Sequence, residues 1–482
     1  MTDQARICSD VNPGPPVLPA DRAAFAYRWP HPGAFDAPAW RMEGAHRRRT
    51  LPESPEELAA DSRWPGFFPS PICLVTSAHG GMAVLEKVVG PSIANRFPYL
   101  TALSFCREPL SDRHHARGTF LDVAQKSGRV AVQFLMPGPA LSKALKAIAD
   151  VPEARPAERL AAAGAISGTG RFSGAPILDE AYLVYEGRLA RPSRDFEGQP
   201  INPVPYLDVG SHRILLFEIE AISLNSSIAQ GNTPLHWRCL PTWRSAPQPL
   251  QSVSSARRRT EILSSRSFVK SYQADYVFPG ANTIAFEAEE VSDGFSVKRL
   301  APLPEDQVEI DNDLARWPCF FPSSLGLITA TTDDGRSGVF PCGSTAVVSR
   351  HPLTIAICVT YASINERYAP RATLELLRQA GRFGCGVPIY RGDVLEAIRF
   401  LGSVSFRDCP DKIDHAGLAA VRLGGTLAFE ELPIHFDCRI VGEVPLGTHA
   451  MILGQVEQVF VRRDVGADAP LEWCPWAGAT AP

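Results

Sequence analysis

The sequence predicts a mainly β protein with α decorations, built from two tandem copies of one barrel-like unit in a single chain. Three observations predict it. Residues 63–70 read RWPGFFPS and residues 316–323 read RWPCFFPS, so seven of eight positions agree at an offset of 253. The register then continues, and a sustained internal repeat fixes architecture before any local reading does. Within each copy, short β-branched runs alternate with turn signals rather than with long amphipathic helices, which is the pattern of an all-β barrel. No G-x-G-x-x-G opens a helix, which argues against a dinucleotide-binding α/β sheet.

The repeat can be followed along the chain. Ile72-Cys73-Leu74-Val75-Thr76 faces Leu325-Gly326-Leu327-Ile328-Thr329, Gly90 faces Gly343, and Pro98 faces Pro352. Arg117-Gly118-Thr119 faces Arg371-Ala372-Thr373, and Glu158-Arg159-Leu160 faces Asp411-Lys412-Ile413. Tyr185-Glu186-Gly187-Arg188-Leu189 faces Phe436-Asp437-Cys438-Arg439-Ile440, and Gly210-Ser211-His212 faces Gly447-Thr448-His449. The largest insertion, about 191–209 in the first copy, is Pro-rich and reads as a loop. These matches divide the chain into an N-terminal extension (1–60), a first copy (61–225), a connector (226–312), a second copy (313–463) and a tail (464–482).

The second copy is the clearer one. Residues 325–331 are apolar and β-branched and end in Asp333-Asp334-Gly335, a strand followed by a hairpin turn. Residues 353–360 (LTIAICVT) form a second strand. Residues 372–380 carry Leu374, Leu376 and Leu377 before Gly381, which reads as a short helix with a glycine stop. Residues 383–388 return as a strand and 393–401 have helical spacing. The β-branched runs 434–442 and 449–461 read as paired antiparallel strands. The connector reads as a loop in its first half, with a strand pair around 282–299.

Composition narrows the function. Of the 482 residues 45% are hydrophobic and 21% charged, an ordinary globular mixture with material for cores. The 48 basic and 52 acidic side chains leave a formal net charge of -4, so no broad positive field is available for nucleic acid or an anionic membrane. No run of about 18 apolar residues marks a membrane helix, and the first residues lack the apolar core of a signal peptide. The 11 cysteines are scattered with no C-x-x-C pair, which fits reduced thiols in a cytoplasm, and the Ala/Arg/Pro-rich usage suggests a bacterium. No metal-site or G-x-S-x-G signature is present.

The ordered features of each copy resemble the flavin reductase-like family, whose fold is the FMN-binding split β-barrel. In the second copy they are LGLITATTDDG, then Ser344-Thr345-Ala346-Val347-Val348-Ser349 before His351-Pro352-Leu353. They continue with Arg371-Ala372-Thr373, GRFGCGVP, Asp411-Lys412-Ile413, Phe436-Asp437-Cys438-Arg439 and Gly447-Thr448-His449. The resemblance covers most of 320–461 and is fainter over 67–224. It implies two tandem split β-barrels forming an intramolecular pseudo-dimer, with FMN in the groove between them and NAD(P)H or a small organic substrate as hydride partner. A covalently joined second barrel is always present at high effective concentration. Further homo-oligomerisation is left open, as is which groove holds the flavin.

A flavin phosphate needs hydroxyls, backbone N–H groups and a cation. The resemblance assigns this to Ser344, Thr345, Ser349, Arg371 and Thr373 in the second copy, and to Ser92, Arg117 and Thr119 in the first, where Arg96, His114 and His115 lie close in sequence. The bland alternative makes these hydroxyls ordinary strand or cap groups. His212 and His449 are the candidate catalytic pair. The family's pattern there is Gly-Asp-His, and here Ser211 and Thr448 stand where the Asp would be, which weakens the case for nicotinamide recruitment. An imidazole at this place can donate to a flavin or substrate oxygen or act as acid and base near neutral pH; equally, it can cap a strand. Two other classes remain: a repurposed split-barrel enzyme holding substrate or haem in the groove, and a non-catalytic flavin carrier. The triplets Arg47-Arg48-Arg49 and Arg257-Arg258-Arg259 read as solvated loop charges, and His236-Trp237-Arg238-Cys239 as a lone soft-ligand cluster in the connector.

Overall fold

The computed structural model describes residues 40–51, 68, 70–95, 98–107, 118–136, 138–194, 200–201, 204–226, 238–242, 247, 253–264, 290–292, 295–299, 322–360, 372–389, 391–407, 409–447, 449–465 and 472–474. The second half contains a closed ring of six antiparallel strands. Ser323–Thr331 pairs with Ser337–Arg350, which pairs with Leu353–Thr360, then His449–Arg462, Ile434–Pro445 and Arg382–Gly386, which returns to Ser323–Thr331. The interior is filled by alternate residues of these strands, among them Leu327, Ile355, Phe383, Phe436 and Val459, with the helices Ala372–Ala380 and Gly392–Ser403 packed outside.

The first half follows the same strand order as an open half-barrel. Ile72–His79 pairs with Met82–Val89 and with Arg129–Leu135. The path then passes through Ala181–Leu189 and His212–Asn225 to Leu100–Cys106 and Ser92–Asn95. The difference lies in the second strand. Ser337–Arg350 runs unbroken, whereas its counterpart is split into Met82–Val89 and Ser92–Asn95. Gly90-Pro91 sits at the break; Gly90 has φ +70 and Pro91 has no N–H to continue a ladder.

The likeness of the halves extends to individual hydrogen bonds. Thr76 Oγ1 donates to Pro176 O at 2.7 Å, and Thr329 Oγ1 donates to Leu427 O at 2.6 Å. Arg159 Nη2 donates to Val151 O at 2.8 Å, and Lys412 Nζ donates to Val404 O at 2.9 Å; each carbonyl lies just past the preceding helix. A cation there satisfies carbonyls that the helix leaves open. Glu186 and Asp437 are both buried and both accept loop N–H groups, from Ser173 at 2.7 Å and from Gly425 at 2.9 Å.

Several segments expected to be loops are ordered elements. Arg47-Arg48-Arg49 lies on the strand His46–Thr50, with Arg49 buried and Arg47 Nη1 donating to Val465 O at 2.8 Å. This strand forms a hairpin with Trp40–Glu43 and pairs with the last strand of the second half, Thr50 opposite Gln458 and His46 opposite Arg462. The connector hairpin Glu290–Ser292/Phe295–Arg299, which falls within the strand pair expected around 282–299, does the same to the first half, Arg299 opposite Ala221 and Phe295 opposite Asn225. The hairpin upstream of each copy therefore sits on the other copy, in the same register. Arg257-Arg258-Arg259 lies on a helix, Val253–Ser264, where buried Arg259 donates to Ala416 O at 3.0 Å. Arg238–Thr242 is a strand beside Ser323–Thr331 and Glu472–Cys474. The 191–209 insertion contains Tyr206–Val209, which forms a hairpin with His212–Asn225. Among the described residues no helix is long and apolar enough to cross a membrane.

Candidate functional site

The halves meet along a shared apolar seam. Ala94, Leu100, Ala102, Ile214 and Leu216 of the first half pack with Ala346, Val348, Ala356, Cys358 and Met451 of the second in one buried cluster. Every residue here comes from a strand whose other face fills its own barrel, so alternation supplies both surfaces at once. Ser104 Oγ crosses the seam to donate to Val348 O at 2.5 Å.

Both candidate catalytic histidines start the last long strand of their half, and both lie on this seam. Tyr206–Val209 and His212–Asn225 are joined by the two-residue turn Gly210-Ser211. Gly210 has φ +52, and a Cβ on it would lie 2.2 Å from His351 O and 2.7 Å from Ser349 Oγ. Only glycine fits where the other half approaches so closely. Ser211 N donates to His351 O at 2.8 Å, and His351 N donates to Ser211 Oγ at 3.2 Å. Ser211 Oγ lies 2.8 Å from His212 Nδ1. Beside it, Asp208 binds Arg107 Nη1 at 2.9 Å and Arg213 Nε at 2.7 Å; the Arg213 hydrogen bond holds the Asp208 carboxyl below its usual range. On the other side of the pseudo-symmetric pair, His449 N donates to Asn95 Oδ1 of the first half at 2.9 Å. His449 Nε2 lies 3.0 Å from Thr360 Oγ1. His449 is thus held directly by the other half, and His212 through its neighbour Ser211. Asn95 and Thr360 were not singled out in the sequence, and His351 was quoted there within the run His351-Pro352-Leu353 but given no role.

The candidate cofactor residues fall into three groups. Ser344, Thr345 and Ser349 share the strand Ser337–Arg350. Thr345 is fully buried and its hydroxyl donates to Cys342 O at 2.8 Å, while Ser344 is half-buried. Ser349 is buried at the seam, and its Oγ has no hydrogen-bond partner among the described residues; the same holds for Nδ1 of buried His351. Burial, with Arg350 adding to it, pushes the His351 imidazole pKa down. Ser92 is buried on Ser92–Asn95, three residues from Asn95. Thr373 and Thr119 are each the second residue of equivalent helices, Ala372–Ala380 and Gly118–Ser127. Arg371, Arg117, Arg96, His114, His115, His236 and Thr448 lie outside the described residues.

The two helix starts differ in charge. In the first half, Phe120 N donates to Glu153 Oε1 at 2.7 Å, so a carboxylate occupies the end that attracts anions. In the second half the position equivalent to Glu153 is Phe406, and neighbouring Arg407 places Nη2 3.9 Å from Glu375 Oε2 in the first helical turn.

Comparison with known proteins gives the following. Residues 318–476 match the model of the flavin reductase like domain. No curated protein matches the chain. Among solved structures, the flavoredoxin of Desulfovibrio vulgaris (Miyazaki F) is 19% identical, over 30% of this chain and 73% of that one, with a TM-score of 0.26. The NADH:FAD oxidoreductase of Streptomyces globisporus C-1027 is 17% identical, over 33% and 76%, with a TM-score of 0.25. The nitrilotriacetate monooxygenase component B from Mycobacterium thermoresistibile is 21% identical, over 32% and 75%, with a TM-score of 0.25. The closed ring of the second half and the family match coincide in the chain, and residues 318–476 are a flavin reductase like domain.

Proposed function

We propose that the protein is an FMN-dependent oxidoreductase of the flavin reductase-like type, with the flavin held at the seam and NAD(P)H or a small organic substrate as hydride partner. The observation that carries this is the polar set at the seam. Ser349 Oγ and His351 Nδ1 are buried without hydrogen-bond partners among the described residues, two residues apart, against the turn that presents His212. A buried polar atom left unmatched costs about 1–3 kcal/mol. Such a cost is recovered when a polar ligand supplies the missing partner, and a flavin has ring oxygens, ring nitrogens and a ribityl chain to do so. FMN, when bound, supplies the hydride chemistry; the chain's residues bind it, orient it and place proton donors near it.

On this reading Arg371, Thr373 and Ser344 of the second half bind the phosphate and ribityl end, and His449 and His212 lie toward the reacting end. The Glu153 carboxylate on Phe120 N disfavours a phosphate at Thr119 and Arg117, because a second anion there would meet like charge. The reading therefore expects one FMN per chain, in the second half. The absorption spectrum of the protein as purified, the mass of whatever is released on denaturation, and an FMN titration test it. Flavin bands and uptake of one FMN support the proposal; a colourless protein that takes up no FMN removes it.

A further inference from the structure

The seam fixes more than the position of His212. Ser211 is buried, and its hydroxyl oxygen accepts the backbone N–H of His351 at 3.2 Å. The hydroxyl has one hydrogen to donate. Among the described residues, the acceptor within reach of it is His212 Nδ1 at 2.8 Å. Were Nδ1 to carry the proton instead, the Ser211 hydroxyl hydrogen would be buried without an acceptor, at the cost that attends any such group. The chain of donors therefore runs one way, from His351 N–H to Ser211 Oγ and from Ser211 O–H to His212 Nδ1.

We propose that Ser211 is a positioning residue that holds His212 as the neutral imidazole protonated at Nε2, and that the second half, through the His351 backbone, sets this state for a histidine of the first. A hydroxyl donating to Nδ1 stabilises the neutral ring, since the doubly protonated ring has no lone pair there. A carboxylate at the same place would do the opposite, accepting from Nδ1–H and favouring the cation. The serine at 211 thus selects a neutral Nε2–H donor over an imidazolium. His449 is held through the other nitrogen, Nε2, by Thr360 Oγ1 at 3.0 Å, so the two histidines are held through different ring nitrogens. The consequence for turnover rests on the seam being the flavin site; the tautomer itself does not.

The test is nitrogen NMR of the full chain labelled at histidine, with a His212→Gln variant to assign the signals. The wild type should show an unprotonated Nδ1 and a protonated Nε2 for His212 at pH 7.5. Ser211→Ala should mix the two tautomers and raise the His212 pKa. Ser211→Thr, which keeps the hydroxyl, should restore both readings, and Ser211→Asp should move the proton to Nδ1 and raise the pKa further. Circular dichroism of each variant separates these effects from misfolding, and the wild-type measurement needs no variant to be folded except the assignment control. A protonated Nδ1 in the wild type, or unchanged signals and pKa in a folded Ser211→Ala, overturns the proposal. Because the readout needs no bound flavin, a protein that takes up no FMN removes the functional reading and leaves this one standing.

Discussion

Ser211 and His351 exchange two hydrogen bonds across the seam, Ser211 N to His351 O at 2.8 Å and His351 N to Ser211 Oγ at 3.2 Å. Residues 140 apart in sequence thereby pair much as two opposed residues of an antiparallel ladder do. The two-residue turn Gly210-Ser211 is clamped, and the clamp is possible because Gly210 has no side chain. The apolar cluster around Val348 and Ile214 brings the halves together without direction. The Ser211–His351 pair and the His449–Asn95 bond give the contact a register, and that register aims both histidines.

Gly210→Ala tests the clamp. The substitution combines a left-handed backbone, φ +52, with a Cβ 2.2 Å from His351 O. Gly80→Ala is the matched control, since Gly80 has φ +58 and nothing within 4 Å of its Cβ position. The control should lose about 1–2 kcal/mol, the cost of the left-handed region for a residue with a Cβ. Gly210→Ala should lose clearly more, about 3 kcal/mol or above, because backbone must move as well. Urea unfolding of both variants checks this. Equal losses would show that the seam yields to the methyl group.

Much of this arrangement was legible because it is local. Leu353–Thr360 and Ala372–Ala380 follow from a continuous β-branched run and from leucines at helical spacing before a glycine. The repeat gave the pairing of His212 with His449 before any coordinates. The connector's strand pair was legible, but the N-terminal hairpin and the partner of either hairpin were not. Arg47-Arg48-Arg49 hides a strand, since three charges in a row read as a solvated run although Arg49 is buried. Nothing in a local pattern says that His46–Thr50 pairs with a strand more than 400 residues away. The clamp was invisible for the same reason: Ser349 was read as a phosphate hydroxyl, while its contact with Gly210 exists only once both halves are in place.

The buried pair Glu86–Arg159 should be expensive to break. Arg159 Nη1 lies 2.9 Å from Glu86 Oε2, with side chains 4% and 0% exposed. The same arginine holds Val151 O with Nε and Nη2, joining the helix Pro156–Ala163 to the end of Pro139–Asp150. Glu86→Gln leaves the guanidinium buried and short of its counter-charge, a change that typically costs about 3–5 kcal/mol. The expected outcome is a large fall in urea midpoint with the far-ultraviolet spectrum retained. A fall comparable to that of a surface pair such as Lys126–Asp122, about 0–1 kcal/mol, would refute the assignment.

Stability should decline on the acid side because of His435 and His46. Burial is the main cause for both: it takes His435 down to about 3, with His46 adding to it, and His46 down to about 4, with Arg462 adding and Asp464 opposing. His435 Nε2 is paired with Thr426 Oγ1 at 2.8 Å. The unfolded chain binds these protons near pH 6.5 and the folded chain does not. Their contribution is therefore complete above about pH 6.5 and is lost as pH falls toward 4 and then 3, at up to about 1.4 kcal/mol per pH unit for each ring. Unfolding free energies at pH 7.5, 6 and 5 should fall in the wild type. They should fall less steeply in His435→Gln. Parallel slopes would mean that His435 does not contribute to the acid loss.

The flavin reading predicts which substitutions affect binding and which affect rate. Arg371→Ala should weaken FMN binding by about 1.5–3 kcal/mol if the guanidinium makes a charge-assisted phosphate bond. Arg117→Ala, its counterpart in the first half, should leave FMN affinity unchanged, because Glu153 already serves the neighbouring helix start through Phe120 N. His449→Ala should lower turnover more than affinity, since an imidazole near the reacting end contributes to the transition state rather than to phosphate binding. FMN titration followed by steady-state NAD(P)H oxidation on the same three proteins separates the effects. A loss of affinity in Arg117→Ala with none in Arg371→Ala would move the flavin to the first half.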